Sequence, residues 1–173
     1  LSATDLFSEV AVPAGVGATL PPYGEPPNTG FTWHGAATAD WNGDGWLDLF
    51  VTGPKRNWLY LNDGRGRFRD ASEEVGILSA ASGVGPLGVD FDNDGDTDLF
   101  IATVGEQILL ENRLVPDGKL AFVDVSQEAG VAVSAIGFSA AAGDVNGDGR
   151  PDLYVASYNR YGQVTPDVWY KAT

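Results

Sequence analysis

The sequence predicts an all-β protein made of four-stranded propeller-type blades, and three observations carry that prediction. An acidic nine-residue window occurs three times, at 40–48, 90–98 and 144–152, so the intervals are 50 and 54 residues. That spacing is about the length of one four-stranded blade. Each window runs directly into an apolar, β-prone tripeptide: Leu49-Phe50-Val51, Leu99-Phe100-Ile101 and Leu153-Tyr154-Val155. The 23 Gly and 10 Pro punctuate the chain, with no long helical periodicity between them. Short strands joined by Gly-rich turns are what an all-β domain requires.

A second repeat runs out of phase with the first. The segment from Phe68 to Ile77 (FRDASEEVGI) aligns without gaps to Phe122–Val131 (FVDVSQEAGV), and both align to Phe7–Val16 (FSEVAVPAGV). Each reads as the last strand of a blade plus the turn into the next. The expected strands of blade one are 31–39, 48–53, 57–61 and 67–72, with a turn at Asn62-Asp63-Gly64. Those of blade two are 85–89, 98–103, 107–111 and 119–125, and those of blade three 137–143, 152–157 and 167–171. First strands crowd a propeller axis and need small side chains, which Ala36, Ala37, Ala39, Gly88 and Ala140 to Gly143 supply.

The chain therefore reads as one repeat region over 1–173: blade one at 31–72, blade two at 85–125 and blade three at 137–171. The Gly- and Pro-rich stretch 17–30 reads as an irregular loop. Blade three lacks a fourth strand, while an orphan fourth strand at 5–10 opens the chain and is expected to complete it. Propellers use four to eight blades. Closure then needs blades from another copy, another chain or further sequence.

Composition narrows the function. The formal net charge is −14, and 11 of the 17 Asp fall in the three windows. Carboxylates packed so closely repel unless cations neutralise them, and three divalent ions would offset six of those charges. Nucleic acid is excluded as a partner, because a phosphate-binding surface needs a basic patch. With no Cys there is neither a disulfide framework nor thiolate chemistry. No apolar run of membrane-spanning length is present. The chain opens on Leu1 and contains no Met, so it is expected to be a processed chain, a fragment or part of something longer.

The windows carry the chemistry. Oxygen ligands at positions 1, 3 and 5, followed by Gly at 6, let a backbone wrap a hard cation, with a carbonyl available at 7. Loop one offers Asp40, Asn42, Asp44, the Trp46 carbonyl and Asp48. Loop two offers Asp90, Asp92, Asp94, the Asp96 carbonyl and Asp98. Loop three offers Asp144, Asn146, Asp148, the Arg150 carbonyl and Asp152. An all-oxygen set without His or Cys favours Ca²⁺ over zinc or copper, and Mg²⁺ would demand a tighter octahedron. An EF-hand is rejected, since position 12 is Val51, Ile101 or Val155 and the flanks are β-type. Asn-Gly-Asp-Gly alone is hairpin-turn chemistry. Three copies with Asp at 1, 5 and 9 are not explained by a turn.

These loops and their trailing strands resemble FG-GAP/VCBS repeats, the family that includes the integrin α-subunit propeller. Leu59 to Gly64 followed by Phe68 to Ile77 more closely resembles bacterial proteins that pair VCBS repeats with an ASPIC/UnbV region, which is absent here. The resemblance spans nearly the whole chain except 17–30. It implies an extracytoplasmic (periplasmic, secreted or cell-surface) calcium-loaded propeller used for adhesion, recognition or assembly.

No catalytic constellation stands out. His34 is the sole His, there is no Ser-centred elbow and no phosphate loop, so the expectation is a non-enzyme. Three function classes follow. The first is a protein-interaction or scaffold module, such as a peripheral subunit of an extracytoplasmic or membrane complex. The second is a lectin-like module stacking glycans on its five Trp, with Trp41 and Trp46 flanking loop one. The third is an accessory part of a larger exported enzyme. Arg65, Arg67 and Arg69 alternate and are expected to share one strand face.

Overall fold

The computed structural model describes residues 8, 10–16, 34–53, 56–77, 83–157 and 167–172. The expected N-terminal strand (apart from residues 8 and 10), the 17–30 loop and Trp33 lie outside the described residues.

Among the described residues, eleven strands and two short helices form three antiparallel units in chain order. Blade one comprises β1 (Ala36–Ala39), β2 (Asp48–Val51), β3 (Trp58–Asn62) and β4 (Phe68–Asp70), paired in that order. Blade two comprises β5 (Gly83–Val89), β6 (Asp98–Glu106), β7 (Ile108–Asn112) and β8 (Phe122–Asp124). Blade three comprises β9 (Ser134–Gly143), β10 (Asp152–Ser157) and β11 (Val168–Tyr170). The helices are α1 (Ala11–Ala14) ahead of blade one and α2 (Leu114–Asp117) between β7 and β8. First strands sit side by side, β1 against β5 and β5 against β9.

The all-β expectation holds, with informative differences at strand ends. β6 runs three residues past 103 and β9 begins three before 137, because these extensions pair with each other, Val104 opposite Ile136 and Glu106 opposite Ser134. The two sheets thereby merge into one seven-stranded sheet. The three arginines do not share a strand face. Arg65 and Arg67 lie in the turn before β4, where both donate backbone N–H to Asp63 Oδ1, and only Arg69 is in the strand.

Two cores alternate with the blades. The first holds Trp41, Phe50, Leu59, Val75 and Ile77 of blade one against Leu99, Ile101, Leu110 and Phe122 of blade two. The second holds Phe100, Ala102 and Leu109 of blade two against Val131, Leu153 and Val155. β6 serves both because successive side chains in a strand point to opposite faces. Leu99 and Ile101 enter one core while Phe100 and Ala102 enter the other. Blades are thus held by apolar burial between sheets.

Trp41 is the largest piece of the first interface. It is fully buried, edge-on to Phe50 with ring centroids 6.3 Å apart, and its indole N–H donates to the Asp98 carbonyl at 3.4 Å. The buried Asn112 amide donates back to the Trp41 carbonyl at 2.9 Å. Trp41→Ala is expected to destabilise the protein by about 4 kcal/mol, as buried aromatic truncations do. Urea unfolding checks this; a loss below about 1 kcal/mol would remove Trp41 from the interface.

Candidate metal centre

Each acidic window forms the connection between a blade's first and second strands. The turns reverse sharply because positions 4 and 6 take left-handed backbone. Gly43 and Gly45, Asn93 and Gly95, and Gly147 and Gly149 all have φ between 62° and 100°. Asn93 is the non-glycine exception among the described residues; Asn tolerates this region better than most. Its side-chain amide donates to the Gly149 carbonyl at 2.9 Å, tying loop two to loop three. On the other side, Gly43 sits against Leu114 of α2, where a Cβ on residue 43 would lie only 3.1 Å from the Leu114 side chain.

Side chains at positions 1, 3 and 5 use oxygens to fix the turn. The position-3 oxygen accepts the position-5 N–H in every loop: Asn42 from Asp44 (3.0 Å), Asp92 from Asp94 (3.1 Å) and Asn146 from Asp148 (2.9 Å). The position-5 carboxylate accepts the position-7 N–H: Asp44 from Trp46 (2.9 Å), Asp94 from Asp96 (3.0 Å) and Asp148 from Arg150 (3.0 Å). Position 1 accepts from the glycine at 6: Asp40 from Gly45, Asp90 from Gly95 and Asp144 from Gly149. Oxygens are thereby gathered toward the inside of each turn.

Position 9 is a buried carboxylate clasping two parts of the blade. Asp48 accepts from Trp41 N–H (3.1 Å) and Asn62 N–H (2.8 Å). Asp98 accepts from Phe91 N–H (3.0 Å) and Asn112 N–H (2.8 Å). Asp152 accepts from Val145 N–H (3.2 Å) and Ala172 N–H (2.9 Å). One oxygen holds the loop and the other holds the third strand or its end. Sequence reasoning misses this clasp, although an Asp opening an apolar strand in all three repeats is its signal.

Burial pushes the Asp98 carboxyl up to about 7, against the lowering effect of its two backbone donors. Burial likewise raises Asp48, Asp92 and Asp96, with neighbouring carboxylates adding to it. Asp144 is held low instead, chiefly by the Gly149 N–H.

Loop two brings three carboxylates together. Ligand oxygens of Asp90, Asp92 and Asp98 lie within 4.8 Å of one another, and no other acidic trio among the described residues does so. Oxygens on opposite sides of one Ca²⁺ are about 4.6–5.2 Å apart, twice the Ca–O distance, so the spacing fits that ion. Asp90 Oδ1 is buried without a hydrogen-bond partner, as an oxygen awaiting a cation would be. In loops one and three an Asn stands at position 3, and the acidic residues do not converge in the same way. The Asp96 side chain turns away, accepting the α2 Val115 N–H at 2.8 Å. Asp96 therefore anchors a helix that the sequence did not predict.

The other candidates resolve simply. His34 Nδ1 is hydrogen-bonded to the Thr52 carbonyl at 3.1 Å, so the ring serves the chain's own backbone. Trp41 is buried, so it forms no exposed patch with Trp46, which is 52% exposed and rests on Gly64. Among the described residues no helix is long and apolar enough to cross a membrane.

Comparison with known proteins agrees with this architecture. A family model described as an FG-GAP-like repeat matches residues 40–101 and again 90–155, so each match begins on one acidic loop and runs into or through the next. Cartilage acidic protein 1 of Xenopus tropicalis is 30% identical over 132 residues, covering 70% of this chain and 20% of that protein. The chain thus spans about a fifth of the length of the curated relative it matches. With repeated loops, repeated strands and a repeat match over more than half its length, the chain belongs to the FG-GAP-like repeat family.

Proposed function

We propose that this chain is a calcium-stapled interaction module, non-catalytic and extracytoplasmic, whose loops each hold one Ca²⁺. The observation that carries the reading is loop two, where the Asp90, Asp92 and Asp98 oxygens converge beside the partnerless Asp90 Oδ1. Asp94 and the Asp96 carbonyl complete that ligand set. By repeat equivalence, loop one uses Asp40, Asn42, Asp44, the Trp46 carbonyl and Asp48, and loop three uses Asp144, Asn146, Asp148, the Arg150 carbonyl and Asp152. Calcium supplies charge neutralisation and cross-links the first and second strands of a blade, which stiffens a surface for a protein partner. Likeness to an animal cartilage protein supports an extracellular setting. A direct test is partner capture from an extracellular or periplasmic extract with and without chelator. Specific, calcium-dependent recovery of a defined protein supports the reading; capture that ignores calcium counts against it.

Among the described residues, a glycan-binding reading keeps the separate exposed rings of Trp46 and Trp169. Silence on a glycan array would remove it.

Protons oppose calcium at Asp98. A carboxyl raised above its unfolded value of about 3.9 stabilises the fold while protonated. That contribution is full below about pH 4 and disappears as pH rises through about 7. Calcium-free protein is therefore expected to melt higher at pH 5.5 than at pH 8, about a few degrees for a chain of this size. Calcium-loaded protein should show the reverse order, because the ion needs the carboxylate. Melting curves at both pH values, with and without calcium, check the sign.

A further inference from the structure

We propose that Asn42 is a site of spontaneous deamidation, at which loop one converts its own position-3 amide into a carboxylate or an isoaspartyl link. The inference does not depend on the calcium reading.

Asparagine is among the chemically labile residues. Deamidation needs the next backbone nitrogen free to attack, no side chain on that next residue to crowd the ring, and an amide open to water. Six asparagines lie among the described residues, and their surroundings separate them. Asn57 and Asn112 are buried. The N–H that follows Asn62 belongs to Asp63 and donates to the Arg67 carbonyl at 2.9 Å. The one that follows Asn93 belongs to Asp94 and donates to Asp92 Oδ1 at 3.1 Å. Only Asn42 and Asn146 precede a glycine. Gly147 N–H is tied to Asp144 Oδ1 at 2.7 Å. Gly43 N–H has no hydrogen-bond partner among the described residues. Asn146 is the more exposed of the pair, so exposure alone would rank it first. Hydrogen bonding reverses that order.

Loop one also arranges the reacting groups. Asp44 N–H donates to Asn42 Oδ1 at 3.0 Å and so steadies the charge that develops on that oxygen during attack. Asn42 Nδ2 donates to Asp44 Oδ2 at 2.9 Å, which sets a carboxylate beside the leaving nitrogen. The glycine is fixed by the fold: residue 43 has φ 71°, and a Cβ there would lie 3.1 Å from the Leu114 side chain. The turn that seats α2 therefore keeps the residue that makes ring closure easy.

In the first step Gly43 nitrogen gives up its proton and bonds to Asn42 Cγ. The Cγ–Nδ2 bond breaks, and Nδ2 leaves as ammonia with that proton, which closes a succinimide. Water then opens the ring. Opening at Cγ leaves aspartate at position 42, and opening at the backbone carbonyl leaves isoaspartate. One water is consumed, one ammonia is released, and nothing is oxidised. The aspartate product gives loop one a position-3 acid, as Asp92 gives loop two. The isoaspartate product lengthens the main chain and breaks the Asp44 N–H bonds to Asp40 and residue 42.

Ageing the chain at mildly alkaline pH, folded and in parallel in urea, with peptide mapping by mass spectrometry, tests this. Circular dichroism verifies the folded sample. In the folded chain Asn42 is expected to convert about tenfold faster than Asn146, the rate cost of breaking a charge-assisted hydrogen bond. In urea the two Asn-Gly pairs should convert at similar rates. Asn42→Gln should remove the leading acidic species from ion-exchange profiles of the aged folded chain. Folded Asn146 converting as fast as Asn42, or folded Asn42 staying intact while it converts in urea, would overturn the inference.

Discussion

Adding EDTA to the calcium-loaded protein is expected to lower its melting temperature by about 10 °C. The size follows from mass action: an ion present at ten times its dissociation constant adds about 1.4 kcal/mol of stability. Three such sites add about 4 kcal/mol, and about 2–4 °C accompanies each kcal/mol in a chain of this size. The physical reason is local. Loop two places Asp90, Asp92 and Asp98 with oxygens within 4.8 Å of one another, beside a buried oxygen that has no hydrogen-bond partner. Crowding like charges this closely is unfavourable unless a cation stands between them. Differential scanning calorimetry with calcium restored afterwards checks the effect. Unchanged melting would leave the loops as hydrogen-bonded turns with no stabilising ion.

The second large effect separates the clasp from the ligands. Asp98→Ala should destabilise the protein by about 3 kcal/mol even in EDTA, because two backbone N–H donors, Phe91 and Asn112, lose their acceptor. Asp92→Asn keeps an oxygen for the Asp94 N–H and so preserves the turn bond. It should cost stability in calcium and almost nothing in EDTA. Urea titrations of both variants in both conditions give four numbers. Equal losses for Asp92→Asn with and without calcium would contradict its role as a ligand.

Much of this architecture is legible in the sequence because its signals are local. The Asp-Leu-Phe run entering β2 and β6, the Asn-Asp-Gly turn before β4, and the oxygen spacing of the loops each lie within about ten residues. The repeated FxDxS segment also has a local cause. Ser72 and Ser126 are buried, and each accepts an N–H from the third strand of its blade, Leu59 or Leu109. What stays hidden is non-local. Nothing near Val104 signals that it pairs with Ile136, and nothing near Trp41 signals that it fills the gap between two blades rather than facing a ligand. α2 is invisible in advance because four residues carry no periodicity, and its anchor, Asp96, reads in sequence as one more loop acid. The carboxylate that completes the converging trio of loop two is readable in advance, since Asp92 stands where the sister loops carry Asn42 and Asn146.

Calcium titration of the chelator-treated chain by isothermal calorimetry tests the central claim most directly. Saturable binding of three ions per chain is expected, with one ion lost in Asp90→Ala, which removes the position-1 carboxylate that all three loops share. Absence of saturable heat, or a stoichiometry that Asp90→Ala leaves unchanged, would contradict it.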